Sequence, residues 1–399
     1  MKHKSTKAIF DLKQFGEFGG VNPSITDSAT FTFLGSKTMK ETFEGKTEGC
    51  FLYSRHWNPM NKYLSDAMAA MEGTEAGWVT GSGMAAITNV IMQLCNSGDH
   101  IVASRTVYGG TYAFFLNYLP KFNIEVSLVD ITDIQKVKNA IRPNTKLVYT
   151  ESMTNPLLQI SDIPALSDIA NQYNIPLVVD NTFTPLIIPA HSLGAHIVVY
   201  SMTKFINGKN DAVAGAVCAS HEFINSLIDV NSGTSMLLGP ALDPLRSANI
   251  LKNLYTLPIR MQKHSENANF LANFLKELGV KVNYPGLLEH PGHQTMKRTM
   301  DPDFGYGGLI SIDMETTDKA SALMESMQDK GVGYLAVSLG YFRTLFSNSG
   351  SSTSSEVPED SQAEMGLSPG LVRFSVGLDH DIKHTAALIK ESLTELGII

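Results

Sequence analysis

The chain has 399 residues, 43% of them apolar, which at about 150 residues per domain leaves room for one large domain and a smaller one. A formal net charge of -8, from 31 Lys and Arg against 39 Asp and Glu, gives no electrostatic reason to expect nucleic acid as a partner. Cys50, Cys95 and Cys218 are too few and scattered for a disulfide framework or a metal site, and no run approaches the roughly 20 apolar residues of a membrane span. The expectation is a cytoplasmic protein with reduced thiols, no metal and no membrane partner.

Residues 1–57 lack strong periodicity and are rich in Gly, Thr and Phe. They read as an extended arm that has little core of its own and packs on another subunit. From about residue 60 the pattern alternates. "NKYLSDAMAAMEGTE" has helical spacing and stops at Gly73, "MAAITNVIMQLCNSGD" is a second helix, and "HIVASRT" is a short buried strand. "IEVSLVD", "TKLVYTES", "IPLVVDNT" and "AHIVVYS" read as further strands, with "ITDIQKVKNAI" and "IPALSDIANQY" as helices between them. Short apolar strands joined by helices predict a mainly parallel sheet covered on both faces, an α/β domain over residues 58–254. Residues 255–399 carry the helices "RMQKHSENANFLANFLKELG", "KASALMESMQDKG" and "KHTAALIKESLTELG" and the strands "VKVNYP" and "GGLISIDME", which suits a smaller α+β domain. The Ser-rich stretch "FSNSGSSTSSEVPEDSQ" has the composition of a surface loop.

Polar residues then stand at strand ends that do not need them. "PLVVDNTF" ends in Asp180, and "HIVVYSMTK" ends in Ser201, Thr203 and Lys204. "WVTGSGMAAI" turns through Ser82, Gly83 and Met84 into a helix, whose first N–H groups and positive dipole end suit an anion such as phosphate. Each feature alone has a plainer meaning: tight packing for the glycine turn, a helix cap for the aspartate, a solvated surface position for the lysine. Together they match pyridoxal 5'-phosphate, which needs an amine for its aldehyde, a carboxylate for its pyridine nitrogen and donors for its phosphate.

Over essentially its whole length the chain resembles the Cys/Met-metabolism family of pyridoxal-phosphate enzymes, the γ-family of fold type I. The resemblance rests on "YSRHWNP" at 53–59, "SGMAAI" at 82–87, "YGGTY" at 108–112, "VVDNTF" at 178–183, "SMTKFINGKNDAVAGAV" at 201–217 and "GLVRFSVGLD" at 370–379. It implies a fold type I transferase architecture with pyridoxal 5'-phosphate as cofactor. It makes Lys204 the lysine that holds the cofactor and moves protons, Asp180 the partner of the ring nitrogen, and Tyr108 the ring that stacks on it. Ser82, Gly83, Met84, Ser201 and Thr203 match the phosphate cradle. Tyr53 and Arg55 match a pair reaching the phosphate of a neighbouring subunit, in a homotetramer that is a dimer of dimers with intersubunit active sites. Arg373 matches the arginine that grips the α-carboxylate of a small amino-acid substrate, with Asn155 and Ser338 as helpers.

Within the family, the glutamates that cystathionine γ-lyases typically carry just before "YSR" and "SLG" are replaced by Leu52 and Val337. Apolar residues there suit a short thioether tail. The stretches around "EFGGVNPSI" and "GLSPGLVRFSVG" look most like the plant-type branch of the methionine γ-lyases, which places Thr353 on the family's active-site segment. The implied reaction is α,γ-elimination of L-methionine and related sulfur amino acids to 2-oxobutanoate, ammonia and methanethiol. Cystathionine γ-lyase activity or a γ-replacement of the O-acetylhomoserine sulfhydrylase kind is the alternative, and a non-catalytic binding protein on the same scaffold is a more distant one. Gly110, where bacterial methionine γ-lyases have cysteine, departs from that branch.

Overall fold

A computed structural model describes residues 5–47, 49–350, 352 and 357–399. Its larger sheet is built from β1 (Ala76–Thr80), β2 (His100–Ser104), β3 (Glu125–Val129), β4 (Thr145–Glu151), β5 (Leu177–Asp180), β6 (Ile197–Ser201) and β7 (Gly215–Ala219), in the order β1-β7-β6-β5-β4-β2-β3. The pairings from β6 across to β3 are parallel, as the helix-separated apolar runs predict, whereas β7 runs antiparallel to both of its neighbours. Period-two alternation sends consecutive side chains to opposite faces. Val179 and Val198 therefore join one buried cluster, while Val178 and Val199 join another on the far side of the sheet.

The helices bracketing the sheet start and stop for local reasons. Asn58 caps Pro59–Glu72 through a side-chain bond from Met60 N–H, and Gly73 closes it with φ 82°. Ser82 caps Gly83–Leu94 by accepting from Ala85 N–H at 3.0 Å.

A second sheet comprises β8 (Val282–Asn283), β9 (Leu309–Asp313), β10 (Gly333–Leu335), β11 (Thr344–Asn348) and β12 (Leu371–Ser375), in the order β10-β11-β12-β9-β8. The helix Leu257–Glu277 spans both cores: Leu257 and Met261 pack with the larger sheet, Leu271 and Leu275 with the smaller. Part of the Ser-rich stretch is ordered strand rather than loop. Phe346 is buried in the second core, and β11 pairs with β12 so that Ser347 lies opposite Arg373.

The arm also departs from a purely extended reading. It carries helices at Ser5–Asp11 and Ser36–Phe43, and Ile9 is buried in the main core. Phe15, Phe18, Val21 and Leu34 nevertheless remain exposed. Among the described residues no helix is long and apolar enough to cross a membrane, and no group of three or more His, Cys, Asp or Glu is placed to hold a metal.

Candidate active site

The carboxyl ends of β4, β5 and β6 open together with the Ser82 turn into a cavity of about 280 Å³. Of the residues singled out from sequence, Ser82, Gly83, Met84, Tyr108, Asn155, Asp180, Ser201, Thr203, Lys204, Val337 and Arg373 line it. Ser338 stands beside it, accepting a hydrogen bond from Lys204 Nζ at 3.2 Å and donating to Asn210 Oδ1 at 3.0 Å. Leu52, Tyr53 and Arg55 do not line the cavity of their own chain. Arg55 instead donates to the Met236 carbonyl at 2.6 Å and lies over the Tyr53 ring at 5.6 Å. Thr353 lies outside the described residues.

Lys204 follows the end of β6 and is partly buried. Burial pushes its amine down to about 8, and the Arg373 charge adds to that. Arg373, on β12, is 2% exposed, and its Nη1 donates to Asn155 Oδ1 at 2.9 Å while Nη2 reaches the Ser338 carbonyl at 3.4 Å. Among the described residues its Nε has no partner, which leaves a buried donor unused. Such a fork suits a carboxylate better than a lysine does.

Asp180 ends β5. It accepts from Thr182 N–H at 3.0 Å and lies 3.5 Å from the Tyr149 hydroxyl, and burial raises its carboxyl to about 6. A positive charge placed against it relieves that penalty.

At the glycine turn the packing has no slack. A Cβ on Gly83 would lie 2.6 Å from Ser201 Cβ and 2.9 Å from its Oγ, so only glycine lets the helix start approach the end of β6. Gly215 on β7 similarly makes room for the Ser82 backbone. Thr203 is fixed by Ala214, whose N–H it accepts at 3.0 Å, and Thr182 Oγ1 accepts Ser201 N–H at 2.8 Å.

Sequence reasoning missed Glu151, Met153, Thr182, Phe183, Val213 and Leu339, all of which line the cavity. For Glu151 a signal existed: it is a polar residue closing a strand, as Asp180 is. The strands place the two acids in register.

A depressed amine, a buried acid, a helix start closed to any side chain larger than glycine, and an arginine fork with a spare donor are the fittings of an enzyme that binds pyridoxal phosphate and an amino acid. The donor set fits the cofactor's aldehyde, ring nitrogen and phosphate. The sequence model of the Cys/Met metabolism PLP-dependent enzymes matches residues 5–392, and the chain belongs to that family. It is 48% identical to a methionine γ-lyase of Arabidopsis thaliana over 93% of this chain and 86% of that one. It is 38% identical to a cystathionine γ-lyase of Bacillus subtilis over 86% and 88% of the two chains. A solved Campylobacter jejuni structure carrying N'-pyridoxyl-lysine-5'-monophosphate superposes with a TM-score of 0.91 at 28% identity, covering 98% of this chain and all of that one. The chain is thus a pyridoxal-phosphate-dependent enzyme of fold type I acting on a small amino acid.

Proposed function

We propose that the enzyme eliminates the γ-thiomethyl group of L-methionine, consuming one water and yielding 2-oxobutanoate, ammonia and methanethiol. The supporting observation is the chemistry of the cavity wall. Val213, Val337 and Leu339 line it, and its carboxylates, Glu151 and Asp180, close the strands beneath. Among the described residues of the cavity no acid is left to meet the distal ammonium of a longer substrate.

Pyridoxal phosphate, when bound, supplies an electron sink for negative charge developing beside the substrate's amino group. Lys204 would hold its aldehyde, Asp180 its ring nitrogen, and Ser82, Gly83, Met84, Ser201 and Thr203 its phosphate. Arg373 and Asn155 orient the substrate carboxylate. An amine lowered to about 8 is a competent base near neutral pH, so Lys204 is suited to take protons from Cα and Cβ in turn. Tyr108, which lines the cavity and is partly exposed, would give the departing sulfur its proton.

The active unit is a homotetramer, a dimer of dimers, in which Tyr53 and Arg55 of one subunit serve the phosphate site of another. The apolar residues left exposed along the arm support this. The three free thiols suit a cytoplasmic setting.

Product analysis tests the assignment. Methionine, homocysteine, cystathionine, cysteine and O-acetylhomoserine are offered in turn. Methanethiol and 2-oxobutanoate from methionine are expected. A methionine blank together with rapid conversion of O-acetylhomoserine and a thiol into a new amino acid overturns it in favour of γ-replacement.

A further inference from the structure

Glu151 is the last residue of β4 and only 5% exposed. Its two carboxyl oxygens are each engaged by a different backbone segment of the site: Oε1 accepts Tyr108 N–H at 2.6 Å, and Oε2 accepts Asn155 N–H at 2.8 Å. Tyr108 stands at the entrance to the helix Gly109–Ala113, 43 residues away along the chain. Asn155 in turn holds Arg373 through its side-chain oxygen at 2.9 Å.

We propose that Glu151 is a positioning residue, a staple whose two oxygens fix the Tyr108 and Asn155 backbones relative to each other and, through Asn155, set where the Arg373 fork stands. The importance given to Arg373 rests on the function proposed above. The staple itself rests on the two backbone bonds.

Both partners are N–H donors, so the position requires two acceptors on one short, rigid group, and a carboxylate supplies them. Glutamine does not: turned either way, it faces one of the two amides with its own NH2. Aspartate keeps both acceptors but withdraws them by one methylene, too far to satisfy both.

Nor does the acid benefit the fold by being there. It lies in register with Asp180, and burial, with the charge of Asp180 adding, raises its carboxyl above the usual range, while the two N–H bonds it accepts favour the ionised form. Two acids buried side by side oppose folding, so the gain lies in the geometry they hold.

The test uses Glu151→Gln in the full chain. In the apoprotein, amide hydrogen exchange at Tyr108 or Asn155 should speed up about tenfold or more, while the thermal midpoint stays level or rises because a buried acid is gone. In the holoenzyme, KM for methionine should rise about tenfold, more than kcat falls, because the carboxylate fork has lost its orientation. Glu151→Asp should lose protection at one of the two amides and give an intermediate KM. Wild-type exchange and KM in both variants, or an activity loss that merely follows a lowered thermal midpoint, overturns the proposal. If wild-type enzyme does not turn over methionine, the function assignment fails, and exchange at the two apoprotein amides still decides the staple.

Discussion

Replacing Lys204 with methionine keeps the length of the side chain and removes its charge, so it separates what the lysine does for chemistry from what it does to stability. In the folded chain the amine titrates at about 8 rather than 10.5, mainly because it is buried. At about 1.4 kcal/mol per pH unit, keeping it protonated in the fold at pH 7 costs about 3 kcal/mol. The sign follows from the protons bound. Below pH 8 both states are charged and the cost is fully present; between 8 and 10.5 the folded amine is neutral while the unfolded one still binds a proton, so stability rises with pH across that window. Methionine removes this cost but leaves Ser338 without the bond from Nζ, a loss of about 1 kcal/mol. The net expectation at pH 7 is an apoprotein more stable by about 2 kcal/mol, roughly a 2 °C higher midpoint for a chain of this size, with no turnover. Thermal scans of the two apoproteins at pH 7 and pH 9.5 check this, the advantage shrinking by about 2 kcal/mol at the higher pH. A variant less stable than wild type at pH 7, or a difference that does not change with pH, would show that the amine is not held in the desolvated state described.

Three further outcomes are expected. Gly83→Ala forces a methyl against Ser201 at the cavity floor; overpacking of about 1–3 kcal/mol should weaken cofactor binding at least tenfold, as read by fluorescence titration of the apoprotein. Asp180→Asn should fold normally and lose at least about 100-fold in turnover, because an amide cannot hold a positive charge at the ring nitrogen; near-normal turnover would place that contact elsewhere. Mixing inactive Lys204→Ala subunits with inactive Arg55→Ala subunits should restore activity, since a hybrid dimer contains one site with both residues intact. Absence of recovery after verified subunit exchange would mean that Arg55 acts within its own chain, as its bond to Met236 allows.

Much of the site was readable because its chemistry sits where local patterns change. Asp180 and Lys204 stand out as polar residues closing apolar strands, and Gly83 as a glycine opening a helix. Glu151 obeys the same rule and was passed over, because "TKLVYTES" shows an acid at a strand end without showing what receives it. Its partners at Tyr108 and Asn155 are set by how two connections fold back over the sheet. The ordered β11 was hidden by serine-rich composition, although Thr344–Asn348 is buried throughout.

By itself the sequence determined the repeating strand and helix units, the largely parallel larger sheet and the residues able to do amine, acid and anion chemistry. These follow from periodicity and side-chain type, both local properties of the chain. Only the tertiary structure decided that β7 runs antiparallel between β1 and β6, that Lys204 meets Ser338 at 134 residues' separation, and that Arg373 meets Asn155 at 218. Those contacts depend on sheet order and on β12 of the second sheet bringing Arg373 to the cavity at the strand ends of the first. Periodicity marks which side chains must be buried, but packing selects which of them meet, and with that the electrostatics that bring one lysine to about 8.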